Sequence, residues 1–364
     1  MMTVDNEPAA CATVQVFDGP GQPLRLERWH LPETLARGEV LVKIDLATIC
    51  LSDLHTVSGR RTEPTPSVLG HEAVGRVARA GSGRQGLEPG DRVTWSIADS
   101  CGACVFCTVH GLPQKCRSLF KYGHAATDDG TGLNGCYASH IVLRTGTHLV
   151  KVPESLPDSV VAPANCALAT AVNAVSHVPD SCQAVVIQGF GLVGLYACAL
   201  LRERGVPHLF CVDVLEERLD RVPAFGGVAV DGRPSQYEHS RTQILDVAPM
   251  GVDAVLETAG VAALVPEGVR LLRPGGTYVF VGMVHPDTKL EMTGEQVIRK
   301  CLSIHGVHNY APEHLSEAVR FLDRTVDRFP YASLASPPIP LAELEHGFRM
   351  AETHRWHRVS VRPA

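Results

Sequence analysis

The sequence predicts an α/β protein in two parts, a β-rich domain and a doubly wound parallel sheet. Three observations predict it. Up to about position 150 the chain carries short β-branched runs separated by turn signals such as EPGD and DDGTG. From near position 160 strands alternate with helical segments, a pattern that calls for parallel strands joined by right-handed crossovers. Within that second part, an apolar strand ends in G-x-G-x-x-G and a helix follows.

In chain order, the β-rich part holds EVLVKIDLATI (39–49), HEAVGRVARAG (71–81), DRVTWSIA (91–98) and ASHIVLR (138–144). SVVAPANCALATAVNAVSHV is alanine-rich and long enough for a helix. QAVVIQGFGLVGLYACALLRERGVPHLFCVDV then reads as strand, glycine turn, helix and strand. VDAVLETAG, GVRLLRPGGTYVFVGMV and CLSIHGV continue the alternation. PEHLSEAVRFLDRTVDRF and PLAELEHGFRMAETH read as amphipathic helices before a terminal strand, RVSVRP.

Composition narrows the function classes. The 364 residues are 45% hydrophobic and 20% charged, which fits a globular protein of about two domains with a real core. A net charge of -6 without a basic block argues against nucleic acid as a partner. No apolar run reaches the roughly 20 residues of a membrane span, so no membrane partner is expected. MMTVDNEPAACATV has neither the basic head nor the apolar core of an export signal, and a cytoplasmic location is expected. Twelve cysteines in a reducing compartment point to metal rather than disulfides.

The glycine turn has a physical reading. Gly189 permits the tight turn, Gly191 lets the backbone approach a pyrophosphate, and Gly194 allows close helix–strand packing. The helix N-terminus favours the anion. Asp213 closes the second strand 19 positions after Gly194, near the offset of about 20 expected for a ribose-binding carboxylate. A carboxylate there repels a 2′-phosphate, which favours NAD over NADP. Arg218 either leans on the adenosine or lies on a solvated helix face.

Two constellations suit metal. Cys101, Cys104, Cys107 and Cys116 stand as C-x2-C-x2-C-x8-C, and four thiolates at that spacing close a tetrahedral structural zinc site. Cys50, His71 and Cys166 form a Cys-His-Cys set, the composition of a catalytic zinc with an open position. Spacing alone does not bring that trio together.

These motifs, with LGHEAVGRV, PGDRV and LRPGGTYVFVG, make the chain resemble the zinc-dependent medium-chain dehydrogenase/reductase family of alcohol and polyol dehydrogenases, from about position 24 onward. The resemblance implies a GroES-like catalytic domain over 1–166 and 306–364 and a Rossmann NAD-binding domain over 167–305. It implies one catalytic and one structural zinc, and a homodimer or homotetramer, to which exposed sheet edges such as GGTYVFVGMV would contribute. Cys50, His71 and Cys166 match the catalytic zinc ligands, and Glu72 a carboxylate able to approach the metal. Asp53 matches an outer carboxylate orienting the zinc histidine. Ser52 and His55 match the two ends of a proton relay. Thr170 and Val193 match positions beside the nicotinamide, and Arg358 a pyrophosphate contact. Bland readings stay open for Asp53 (a turn), His55 (an exposed histidine), Thr170 and Val193 (helix packing) and Arg358 (an edge-strand charge). Between Cys107 and Cys116 there are eight residues where the family usually has seven, which makes Cys116 the least secure ligand.

The implied reaction moves a hydride between NAD and a secondary alcohol or ketone, with a polyol or cyclitol as substrate and a short-chain primary alcohol as the alternative. WSIADSCGACVFC, LPQKC…KYGH and PANCALAT together look similar to a subgroup linked with cyclitol and phosphonate metabolism. A non-catalytic binding protein on the same fold should have lost Cys50, Ser52, His71 or Cys166, and all four are present. Trp95 and Ile97 fall where the family builds its substrate wall, or belong to the core. Arg60, Arg61, Lys121, Tyr122 and His124 fall on polar loops that either serve a polar or phosphorylated substrate or are simply solvated.

Overall fold

The structure, a computed structural model, describes residues 10–285 and 288–363. The chain divides into one unit reaching to Cys166 and resuming at Tyr331, and a second unit, Ala167–Pro330.

The first unit is built on its longest strand, Val40–Ile49. Glu72–Ala80 and Val359–Arg362 flank it, both antiparallel, and His140–Leu143 also pairs with it. The register sets Thr48 opposite both Glu72 and Ser360. That places Glu72 and the residue before Val359, Arg358, at the same end of the central strand. Gly75 is required by this pairing, because a Cβ there would stand 2.2 Å from the Lys43 carbonyl oxygen. Val40, Val42, Ile44, Val93, Trp95, Tyr137 and Val359 fill the core beneath the sheet. Burying each aliphatic one contributes about 1.5–3 kcal/mol. A second small sheet places Cys11–Phe17 between Arg25–His30 and Ser67–Val68.

The second unit holds six parallel strands in the order Val228–Asp231, His208–Asp213, Ala184–Gln188, Val252–Glu257, Leu272–Phe280, Ser303–Gly306. In chain order this is 3-2-1-4-5-6, the doubly wound Rossmann arrangement. Ala184–Gln188 is buried along its whole length, as a central parallel strand covered on both faces must be. The order reverses beside it, so the turn after Gln188 lies at the switch point where ligands bind such sheets.

Three expectations change. The second domain boundary falls after Pro330, not at 305/306, because helix Pro312–Thr325 packs on helix Ala167–Ser176 in the second unit. The alanine-rich helix is broken: Asp158–Val161 passes into a 3-10 turn, Ala162–Asn165, containing Pro163, and a helix restarts at Ala167. Cys166 in the break is non-helical, at φ -126° and ψ -78°. Finally, GGTYVFVGMV is not an edge, since Ser303–Gly306 covers it.

Candidate active site

Cys50 follows the central strand and caps the short helix Leu51–Val57. Its backbone N–H donates to Asp53 Oδ2 at 3.0 Å, which fixes the first turn. His71 follows Gly70, whose φ of 90° and whose contact with the Tyr137 ring (2.9 Å from a would-be Cβ) leave no room for a side chain. Asn165 ties the broken helix to this point, donating through Nδ2 to the carbonyls of His71 at 3.0 Å and Trp95 at 2.9 Å. Cys166 comes next in the chain. The ligating atoms of Cys50, His71, Glu72 and Cys166 all lie within 4.8 Å of one another.

The surroundings suit a cation. Asp53 Oδ1 lies 3.4 Å from His71 Nδ1, so the other ring nitrogen is the one left for a metal. Ser52 Oγ stands 3.4 Å from that nitrogen, Nε2. Tyr137 donates to Asp53 Oδ2 at 2.8 Å and holds the carboxylate in place. Burial opposes charge on His71, but Asp53 and the Cys50 sulfur outweigh it and raise its pKa well above the usual value. A hydrogen bond from Cys166, helped by Arg358 and His71 against burial, holds the Cys50 thiol well below its usual range, while the same pairing and burial push Cys166 up. Two buried sulfurs compete for one negative charge, and a divalent ion would let both ionise. Two thiolates and an imidazole select zinc or a similarly soft metal.

Glu72 and Arg358 complete the spot. Arg358 Nε and Nη2 donate to the two Glu72 oxygens at 2.6 and 2.7 Å, Nη2 also lies 3.6 Å from Cys50 Sγ, and Nη1 donates to the His357 carbonyl. Thr48 donates to Glu72 at 2.6 Å. Arg358, expected against a pyrophosphate, thus lies beside the candidate metal ligands with its fork closed on Glu72. Strand register is the reason. His55 is exposed in the last turn of the helix, with its carbonyl accepting from Arg61 N–H at 3.0 Å.

The four-cysteine lobe closes on itself. Its sulfurs lie within 4.8 Å of one another, with Cys104 Sγ at 3.5 Å from Cys107 Sγ and 3.9 Å from Cys116 Sγ. A tetrahedron of sulfurs about 2.3 Å from zinc has edges of about 3.8 Å. Backbone N–H groups point at the sulfurs: Cys104 at Cys101, Cys101 and Ser118 at Cys116. N–H groups of Arg117 and Cys107 hold the Cys104 thiol down to about 6. Burial and the neighbouring thiols push Cys107 up to about 12. The 3-10 turn Pro113–Lys115 leads directly into Cys116, and Cys116 joins the cluster.

In the second unit, Gly189 has φ 95° and its Cβ position is taken by Ala259, 2.9 Å away. A Cβ on Gly194 would meet the Gly189 carbonyl oxygen at 1.9 Å. Gly191, which caps helix Leu192–Glu203, faces open space. That is the cradle a pyrophosphate needs, backbone exposed at a helix N-terminus with no side chain in the way. Asp213 Oδ2 accepts from Phe190 N–H at 2.8 Å, and Oδ1 from the N–H groups of Val214 and Leu215. Arg218 Nη1 lies 3.3 Å from Asp213 rather than free on the helix face. Val193 and Thr170 are partly exposed on their helices.

Trp95 and Ile97 are buried. Tyr122, expected on a loop, is also buried, its hydroxyl 2.6 Å from Thr147 Oγ1. His124 belongs beside the metal ligand: its ring centroid is 5.0 Å from that of His71. Sequence reasoning missed Thr48, Tyr137 and Asn165. Asn165 adjoins a ligand and could have been flagged; Thr48 and Tyr137 carry no local signal.

The site and the two folds together define a metal-binding, dinucleotide-binding oxidoreductase. The family model of the alcohol dehydrogenase GroES-like domain matches residues 36–154, and that of the zinc-binding dehydrogenase matches 193–324. The chain belongs to the zinc-dependent medium-chain dehydrogenase/reductase family. It is 28% identical over 344 residues to 5-exo-hydroxycamphor dehydrogenase of Pseudomonas putida, covering 90% of this chain and 93% of that one. It is 29% identical over 320 residues to L-threonine 3-dehydrogenase of Idiomarina loihiensis, covering 85% and 88%. The crystal structure of an alcohol dehydrogenase from Thermotoga maritima superposes with a TM-score of 0.92 at 30% identity, over 98% of this chain and all of that one.

Proposed function

We propose that the protein transfers a hydride between NAD and a secondary alcohol or its ketone, of the polyol or cyclitol class, with catalytic zinc on Cys50, His71 and Cys166. The carrying observation is the convergence of those three ligating groups, with Asp53 on the far nitrogen of the imidazole. Zinc bound there supplies a Lewis acid that makes an alcohol oxygen acidic near neutral pH, and NAD supplies the hydride acceptor. Ser52 Oγ, on the metal-facing side of His71, takes the alcohol proton. His55, exposed at the end of the same helix, releases it to water. Arg358 holds Glu72 beside the ligands without letting either charge stand alone. A second zinc on Cys101, Cys104, Cys107 and Cys116 is structural, with no open position.

NAD is preferred because Asp213 sits at the turn and Arg218, already paired with it, is not free to receive a phosphate. Secondary alcohols are favoured by the relatives: the 5-hydroxyl of hydroxycamphor and the 3-hydroxyl of threonine are both secondary. The outer edge of Ser303–Gly306, unpaired among the described residues and with Ile304 exposed on it, supports a homodimer or homotetramer. The test pairs metal analysis with NADH formation on polyols, cyclitols and primary alcohols. Zinc-loaded protein should turn over and chelated protein should not; undiminished turnover without metal would sink the reading. His55→Ala should slow turnover and alter its pH profile.

A further inference from the structure

Two segments meet beside His71. The first follows helix Leu51–Val57: Glu63 pairs with Arg61 and stands 3.3 Å from His124 Nδ1. The second is Lys121–His124. Gly123 lies so close to Gly70 that a Cβ on it would be 2.2 Å from the Gly70 carbonyl oxygen, and the His124 ring tilts 31° against His71. The segment is therefore pressed against the backbone that presents the metal ligand.

The backbone of Lys121 is fixed, paired with Ala98 and accepting from His124 N–H, but its partly buried ammonium has no hydrogen bond or ion pair among the described residues. Burial, then repulsion from Arg61, push its pKa down; Lys115 repels it too, while Glu63 and Cys166 attract it. Glu63, the carboxylate that attracts it, is already shared by Arg61 and His124. A half-buried ammonium without a partner is costly unless something anionic arrives. Glu72 is held by Arg358, and Asp53 by Tyr137 and His71, so neither carboxylate serves Lys121.

We propose that Arg61 and Lys121 form a subsite for an anionic group on the substrate, a carboxylate or a phosphate, with Glu63 and His124 fixing its walls. The inference rests on the dehydrogenase reading above and narrows the substrate to a secondary alcohol that carries such a group. Lys121 is the principal contact, because Arg61 already has Glu63.

The test uses zinc-loaded protein and NAD with matched pairs, 3-hydroxybutyrate against 3-hydroxybutyramide and glycerol 3-phosphate against glycerol. Wild type should favour the charged member of at least one pair by about tenfold in kcat/KM, as a charge-assisted contact predicts. The pair that shows the preference separates carboxylate from phosphate. In Lys121→Met the preference should collapse, and Lys121→Arg should restore most of it, with zinc content unchanged in both. In parallel, calorimetric titration of inorganic phosphate and of acetate should show binding of at least one anion that Lys121→Met weakens about fivefold or more. Equal use of charged and neutral members, or a preference that survives Lys121→Met, overturns the subsite. If no alcohol is oxidised at all, the dehydrogenase reading fails, and the anion titration alone decides the subsite.

Discussion

Arg358 grips Glu72 through two nitrogens, at 2.6 and 2.7 Å, and both side chains are buried. Burial raises the Glu72 pKa, and the guanidinium recovers only part of that cost. Removing one partner leaves a buried charge uncompensated, which costs about 3–5 kcal/mol, whereas removing both does not. Glu72→Gln and Arg358→Leu should each destabilise strongly, and the double variant should lose clearly less than their sum. Urea unfolding of the zinc-loaded proteins measures this. Additive losses would show that the two charges do not depend on each other.

The glycine turn allows a sharper contrast. Gly191 faces open space, so Gly191→Ala should leave stability within about 0.5 kcal/mol, the usual range for a substitution that touches nothing. NADH affinity should nonetheless fall about tenfold or more, because the methyl occupies the pyrophosphate's place. Gly194→Ala forces a methyl to 1.9 Å from a carbonyl oxygen and should cost stability first, by about 1–3 kcal/mol. Thermal unfolding and NADH fluorescence separate the two. Unchanged NADH binding in Gly191→Ala would remove the turn from the cofactor site.

The four-cysteine lobe should hold its own ion. Cys104 lies 3.5 Å from Cys107 Sγ and 3.9 Å from Cys116 Sγ, and Cys104→Ser should lower the zinc content from about two per chain to about one. Melting temperature should drop, because structural zinc contributes directly to folding. Metal analysis after exhaustive dialysis is the measurement. A full complement of zinc in Cys104→Ser would mean that the lobe does not bind it through that sulfur.

Local pattern made the strands, the glycine turn and the cysteine lobe legible in the sequence. Gly189, Gly191 and Gly194 sit within six residues, and the lobe within 16, so spacing carries their geometry. The candidate ligand trio, Cys50, His71 and Cys166, spans 116 positions, and only resemblance linked it. What remained hidden depends on register and tertiary contact. Arg358 reads as an edge charge until the strand Val359–Arg362 is seen antiparallel to Val40–Ile49, beside Glu72. Tyr137 reads as an ordinary strand aromatic, yet its hydroxyl fixes Asp53. Alanine content argued for an unbroken helix through Cys166, and Pro163 overrode it.

His177 gives the second unit a pH dependence of definite sign. Its ring stacks on His305 with centroids 4.7 Å apart, and burial, then His305 and His314, lower its pKa below the usual 6.5. Just below 6.5, therefore, the unfolded chain binds a proton that the folded protein does not. Stability falls as pH drops through that window, levels off once the folded state is protonated too, and is fully present above it. His177→Asn removes this titration. Urea midpoints at pH 7.5, 6.5 and 5.5 should fall more steeply for wild type than for His177→Asn, with the difference confined to the lower two values. Parallel profiles would show that His177 is equally easy to protonate folded and unfolded, despite the ring lying against it.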